Sequence, residues 1–407
     1  MGNFKYLCVD FLFTCLGLVF LLLDIVLDIL AAVSFYQEKA YVCLSMLVLF
    51  LVVSSVLVQA FSWLWYSYED FQRWTKVEKY LSLTQLKLLH VLQLGIYFRH
   101  AGVVEVSVQS LTLKPSSSEG LAVFLSHDLS MLRLIETFSE SAPQLVLMLT
   151  IFLQQGQLDV VTVLKAIGSA SAIAFTVTTY HRSLRSFLPD KEKQEMSSSV
   201  VYFIWNLLLI SSRLTALALF ASVLPCFIFT HFFCSWLVLF FFAWQAKTDF
   251  MDSPLGEWLY RATIGLIWYF HWFNVVDGRT RDRTLLYHGY ILLDICFLCG
   301  LWCWKIRTEM TEFYVIGLAV SVVVVYILGL LFKILYYRCY HPNLSKEQLK
   351  GGTPEQAFAA DETDFPFIVA IIMNGDTDIS DRSLPSPPAP DIKLNKRMRK
   401  LAENFYS

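Results

Sequence analysis

Apolar windows of about 20 residues, the length a helix needs to cross a hydrocarbon layer of about 30 Å, recur along the first 340 positions of this 407-residue chain. In lipid every backbone N–H and C=O must be satisfied within the segment or its closed partners, so windows of this kind fold as helices. Their repetition excludes one cleaved leader with one anchor. The first window, from about Leu7 to Val33, is too long for a signal h-region, lacks a clear cleavage site and reads as a true span. Composition agrees, with 56% hydrophobic and only 16% charged residues, far from the balance of a soluble domain.

The expected fold class is therefore an all-α polytopic membrane protein. Spans are expected near residues 7–34, 41–66, 134–154, 160–180, 199–222, 227–246, 286–305 and 312–337. Two more segments are ambiguous: 83–103 is broken by Lys87, His90, Arg99 and His100, and 258–276 is aromatic-rich and interrupted by His271. Either could cross or lie partly in the membrane.

Loop charges arbitrate, because Lys and Arg are retained on the cytoplasmic side. Basic residues cluster at Arg73, Lys76 and Lys79, at Arg182, Arg185, Lys191 and Lys193, and at Arg279, Arg281 and Arg283. All three clusters fall inside if the amino terminus is cytosolic and neither ambiguous segment crosses fully. The outside turns are then short, at 35–40, 155–159, 223–226 and 306–311. The result is eight spans and two half-inserted segments in two parallel repeats, 1–198 and 199–340, each ordered span, span, half-inserted segment, span, span. The repeat is topological, without residue-level self-similarity.

Charges inside the spans narrow the function. Asp24 and Asp28 lie four apart on one face of the first span, Arg213 lies within the fifth and Asp294 within the seventh. On the third, Arg133, Glu136, Glu140 and Gln144 form a stripe. An unpaired charge at a helix centre costs about 2.5 to 3.5 kcal/mol on insertion scales, so these residues face protein, water or each other. An acidic pair facing a lone arginine makes Asp24 and Asp28 the expected partners of Arg213. Two readings of the set stand side by side: a buried ion-pair network that fixes helix packing, or the border of a polar groove whose acid excess suits a cation or an ammonium group. Pro143, three residues after Glu140, either kinks the span or opens a helix at its first turn.

Enzyme chemistry is not expected. No nucleotide-binding glycine loop, zinc-protease motif or cysteine-pair metal motif occurs, and Ser126-His127-Asp128 would point its side chains about 100° apart on a helix, which is not how a triad is assembled. The nine cysteines mostly sit in apolar runs; Cys296, Cys299 and Cys303 share a helix face without the His or carboxylate neighbours of a metal site. No cofactor is implied, and a net charge of −2 gives no ground for a nucleic-acid partner. Met1-Gly2 lacks the Ser or Thr at position 6 of a myristoylation signal, Cys339 beside Arg338 is a candidate palmitoylation site, and the sequon at Asn343 falls on the cytosolic side, where it would go unused.

Composition shifts at 341–392 to Gly, Pro, Ser, Asp and Thr, the signature of a disordered cytosolic linker. Within it Asp361-Glu362-Thr363-Asp364 matches an effector-caspase cleavage sequence, and Asp378-Ile379-Ser380-Asp381 is a second candidate. Over 393–407, Leu394, Met398, Leu401 and Phe405 recur at helical spacing among Lys393, Lys396, Arg397, Arg399 and Lys400. That basic amphipathic helix suits anionic lipid or a docking site on the cytosolic side of the protein. A protease site between body and docked helix makes a one-way switch, with the helix autoinhibitory.

Several stretches together resemble the XK-related family over nearly the whole chain: "LDIVLDI" (23–29), "LSMLRLIETFSESAPQL" (129–145), "YHRSLR" (180–185), "SSSVVYFIWNLLL" (197–209), "TDFM" (248–251), "EWLYR" (257–261), "WFNVVDGRTR" (272–281) and "NKRMRKLAENF" (395–405). The resemblance implies a plasma-membrane phospholipid scramblase, silent until effector caspases remove the tail, that then exposes phosphatidylserine as an engulfment signal. It further implies a single-pass immunoglobulin-type chaperone of the basigin and neuroplastin kind. Two departures accompany it: Thr179 stands where close relatives carry an acid before the Tyr-His-Arg triplet, and Phe365 rather than a small residue follows Asp364. On this reading Asp24, Asp28, Arg133, Glu136, Glu140, Gln144, Arg213 and Asp294 offer headgroups a hydrated path between leaflets without ATP, and the terminal helix holds the closed state. The alternative is a solute transporter or transporter subunit of the plasma membrane.

Overall fold

A computed structural model describes residues 8–69, 71–112, 118–155, 160–187, 193–246, 248–275, 280–306 and 312–341. The chain forms α1 (Cys8–Gln37), α2 (Tyr41–Tyr68), α3 (Lys76–Lys79), α4 (Leu83–Val91), α5 (Gly95–Thr112) and α6 (Ser118–Glu136). A π-helical turn (Thr137–Ser141) leads without interruption into α7 (Ala142–Gln155). There follow α8 (Val160–Phe187), α9 (Met196–Val223), α10 (Phe227–Gln245), α11 (Pro254–Phe270), α12 (Thr280–Ile306) and α13 (Glu312–Leu335), the last ending in a second π turn (Tyr336–Tyr340).

Among the described residues seven helices are long and apolar enough to cross a membrane: α1, α2, α8, α9, α10, α12 and α13. Their outer faces carry exposed aliphatic and aromatic side chains, such as Leu22 and Val26 on α1, Val52 on α2, Phe241 on α10 and Val324 on α13. So broad an apolar surface is stable against lipid rather than water, and the chain is an all-α, multi-spanning membrane protein. Asp361, Asp364, Asp378 and Asp381, the helix of Leu394, Met398, Leu401 and Phe405, and the sequon at Asn343 lie outside the described residues.

Helix α9 is the centre of the bundle, with α7, α8, α12 and α13 packed around it. Its Ser212 hydroxyl donates to the Val322 carbonyl of α13 at 2.8 Å. A Cβ on Gly329 of α13 would stand 2.7 Å from Leu209 Cδ2 of α9, so the missing side chain sets the spacing of that pair. Gly265 does the same for α10 and α11, since its Cβ would meet the Phe240 backbone nitrogen at 3.1 Å. Helix α1 sits at the periphery, against α2, α5 and α8.

Three expected segments take a different form. The window at 134–154 is only the end of a longer helical run that begins at Ser118. Hydropathy misses its first half because His127, Asp128 and Arg133 are polar, yet His127 and Asp128 are buried, with Asp128 3.9 Å from the Arg99 guanidinium. The ambiguous segment 83–103 divides into α4 and α5: Gln93 adopts φ 63°, a left-handed conformation that ends a helix. The His90 ring then fills the space where a Cβ on Gly95 would lie 2.6 Å away, so any larger residue at the entry to α5 would have to displace that ring. Segment 258–276 becomes α11, started by Ser253, whose hydroxyl accepts from Gly256 N–H, with Pro254 in the first turn and ended by His271 in an extended conformation.

Candidate functional site

The two acids of α1 meet the polar stripe of α6 and α7 at the π turn. Arg133 donates from Nη1 to Glu136 Oε2 at 2.7 Å, and its Nη2 stands 3.9 Å from Asp24 Oδ2. The Ser141 hydroxyl donates to the same Asp24 oxygen at 3.2 Å. One turn further along α1, Asp28 faces Glu140 and Gln144. Asp28 and Glu140 are each 8% exposed, so they sit inside the protein rather than in lipid or bulk solvent.

The π turn carries part of this polar face. Glu140 and Ser141 both belong to this wider turn, and both meet α1, Ser141 at Asp24 and Glu140 at Asp28. Pro143 follows at the second position of α7, where it lacks the N–H that would close a normal helical turn and its ring would crowd the carbonyl four residues back. The proline thus lies inside a continuous helical run, just after the wider turn. The Ser139 hydroxyl stands 2.8 Å from Ile135 O and 2.9 Å from the Ser54 hydroxyl of α2, so its one proton is shared between the turn and α2.

Arg133 is also the wall of a cleft between α1, α5, α6 and α8, lined by Asp10, Phe13, His100, Ser126, Ser130, Thr179, Arg182 and Ser183 among others and about 90 Å³ in volume. That is room for several waters. Among the described residues, five of its polar atoms are buried without a protein partner: His100 Nε2, Ser126 Oγ, Thr179 Oγ1, Arg182 Nε and Ser183 Oγ. Buried polar groups are ordinarily satisfied, so such a set marks hydrated or ligand-bearing space. At its far end Arg182 Nη2 donates to Asp10 Oδ1 at 3.1 Å and Arg182 Cζ stands over the Phe13 ring at 4.4 Å, while Lys193 lies 3.7 Å from the other Asp10 oxygen.

Arg213 and Asp294 form a separate cluster, and this corrects the pairing expected with Asp24 and Asp28. Arg213, 1% exposed, donates from Nη1 to Asp294 Oδ2 at 2.5 Å and from Nε to Tyr269 O at 3.0 Å. His231 completes the group, with Nε2 3.0 Å from Asp294 Oδ1 and Nδ1 3.0 Å from the Tyr269 hydroxyl. The physical reason is placement: Arg213 belongs to the central helix and turns toward α11 and α12, while α1 packs at the edge. Both carboxylate oxygens of Asp294 are taken, so this cluster has the form of a packing lock.

Sequence reasoning assembled the acids and Arg133 but missed Asp10, His100 and the cleft role of Arg182, which it counted only as a loop charge. The signal for Arg182 was present in its spacing from Thr179 and from Ser183 and Ser186, which lie on one stretch of α8 and line the same cleft. Ser126-His127-Asp128 falls within α6, and among the described residues no group of three or more His, Cys, Asp or Glu is placed to hold a metal.

Comparison with known proteins bears on the whole chain. A family model described as XK-related protein matches residues 12–342. The chain is 44% identical over 411 residues to XK-related protein 8 of Tetraodon nigroviridis, covering 99% of this chain and 98% of that one. It is 42% identical over 413 residues to XK-related protein 8 of Gasterosteus aculeatus, at the same coverage, and 34% identical over 407 residues to that of Pan troglodytes, covering 98% of this chain and 94% of the other. The chain belongs to the XK-related family.

Proposed function

We propose that this protein is a phospholipid scramblase of the plasma membrane, activated when effector caspases cut its tail, and that it exposes phosphatidylserine during apoptosis. The observation that carries the reading is a polar band inside the helical body. It runs from Asp28, Glu140 and Gln144, through Asp24, Arg133 and Glu136, into the cleft that ends at Asp10 and Arg182. Acids in this band suit the ammonium of a serine, ethanolamine or choline headgroup, and Arg133 and Arg182 suit its phosphate. Headgroups move along the band while acyl tails stay in lipid. Lowering a desolvation barrier in this way needs no ATP and moves lipid in both directions.

The cleft as it stands is small for a headgroup, in keeping with a closed state. We assign the closure to the tail: the linker over 341–392 carries the candidate sites at Asp361, Asp364, Asp378 and Asp381, and the terminal helix presents Leu394, Met398, Leu401 and Phe405 to the body. Both termini face the cytosol in this scheme. The element order, two long helices, shorter segments and two further helical runs, occurs twice, which supports two parallel units with half-inserted elements at α4–α5 and α11. A single-pass immunoglobulin-type chaperone of the basigin and neuroplastin kind accompanies the protein to the surface. The test is in cells lacking their own activity of this kind: expression of this chain should confer phosphatidylserine exposure on effector-caspase activation. A form with all four tail aspartates replaced by alanine should not confer it, and exposure by that form would refute the switch.

A further inference from the structure

The described residues end just past the π turn Tyr336–Tyr340, and this turn is tied to the wall of the cleft through Gln194. The Gln194 side chain donates from Nε2 to the Tyr336 hydroxyl at 3.3 Å, and its Oε1 stands 3.1 Å from His181 Nδ1. The backbone carbonyl of the same residue accepts from Arg182 Nη1 at 2.8 Å. That Nη1 also donates to Ser199 Oγ at 2.5 Å, and Arg182 Nη2 holds Asp10 across the cleft. A continuous series of bonds therefore runs from Tyr336 through Gln194 and Arg182 to α1.

The anchorage of the turn is dense. Tyr336 is fully buried and meets the Tyr202 ring edge-on at 5.3 Å, while Tyr202 stacks on His181 at 4.1 Å. Just past the turn, His341 stacks on Tyr337 at 5.3 Å and stands 3.4 Å from Arg185 Nη1, one helical turn from Arg182 on α8. Gln194, 5% exposed, lies in the short stretch between α8 and α9 rather than within either helix. It can shift without breaking a helical ladder, and Arg182 would shift with it.

We propose that Gln194 is a positioning residue that couples the origin of the tail to the cleft: while Tyr336 holds Gln194, Arg182 stays clamped on Asp10 and the cleft stays narrow. This rests on the scramblase reading above and supplies its closing device. Loss of the Tyr336 hydroxyl should open the cleft with the tail still attached, because the ring and its packing remain while the bond to Gln194 goes. Gln194→Leu should do the same by a different route: the side-chain bonds to Tyr336 and His181 go, while the backbone carbonyl keeps Arg182 attached to a stretch that is now free to shift.

The test uses full-length protein with its single-pass partner in vesicles of phosphatidylcholine and phosphatidylserine, with labelled lipid read in both leaflets before and after caspase treatment. Uncut Tyr336→Phe and uncut Gln194→Leu should equilibrate lipid roughly three- to tenfold faster than the uncut parent, the span expected for losing one neutral hydrogen bond. After cutting, all three proteins should reach the same rate. If both uncut variants stay as slow as the uncut parent while cut parent is active, the coupling is overturned and the scramblase reading stands. The coupling is equally overturned if both variants are inactive after cutting and the cut parent is active, because the residues then support the path rather than restrain it. If the cut parent itself moves no lipid, the scramblase reading fails and the coupling falls with it.

Discussion

Arg133 stands 3.9 Å from Asp24 across the packing of α1 on the bundle, and the same guanidinium grips Glu136 at 2.7 Å while lining the cleft. This cation thus serves three acids, Asp24 and Glu136 directly and Glu140 through space, and joins two polar regions that would otherwise be separate. Its removal leaves carboxylates inside the membrane body without a compensating charge, and stranding a buried charge costs about 3 to 5 kcal/mol. Arg133→Met should therefore reduce the amount of folded protein at the cell surface, measured by surface labelling. Delivery equal to the parent would show that the acids do not depend on Arg133.

Glu136 and Glu140 separate path from scaffold. Replacing both by glutamine keeps hydrogen-bonding capacity and volume while removing charge. The expected outcome is normal surface delivery with labelled-lipid movement reduced about tenfold or more, the loss that goes with about 1.4 kcal/mol or more of barrier. Lost delivery would instead assign the pair to packing.

The Arg213 cluster should behave in the opposite way. Arg213→Met strands Asp294, His231 and the Tyr269 carbonyl in the core, and should cost about 3 to 5 kcal/mol, seen as loss of a monodisperse peak in detergent and a lower unfolding temperature. Asp294→Asn retains an acceptor for Arg213 and should be milder. Equal stability of Arg213→Met and parent would contradict a packing role.

Close helix approach at Gly265 makes a further prediction. A Cβ there meets the Phe240 backbone at 3.1 Å, which cannot rotate away as a side chain could. Gly265→Val should part α10 and α11 and destabilise by about 1 to 3 kcal/mol, read as a drop in unfolding temperature. Gly17 and Gly300, which have open space around them, are the controls and should accept alanine with little change.

Much of the fold was legible because lipid imposes a single rule: long apolar windows become helices, and seven of the eight expected spans lie within helices that satisfy it. The eighth was legible only in part, since α6 carries buried polar groups that lower its hydropathy, and a π turn has no hydropathy signature. The acids of α1 and the stripe of α6 and α7 could be read from four-residue spacing, which places side chains on one face. Which helix that face meets is a tertiary property. Spacing on α9 could not tell that Arg213 turns to Asp294 and Tyr269 rather than to α1; Asp10, inside the first apolar window, drew no reading, and Arg182 read only as a loop charge, because the packing of α1 on α8 that pairs them is tertiary.

The most direct measurement is lipid equilibration in vesicles containing the purified chain and its single-pass partner, before and after effector-caspase treatment, without ATP. Labelled phosphatidylserine and phosphatidylcholine should both redistribute between leaflets after cutting and stay largely in place before it. Cut protein, folded and inserted, that leaves the label in one leaflet would contradict a lipid path along Asp24, Asp28, Arg133, Glu136 and Glu140.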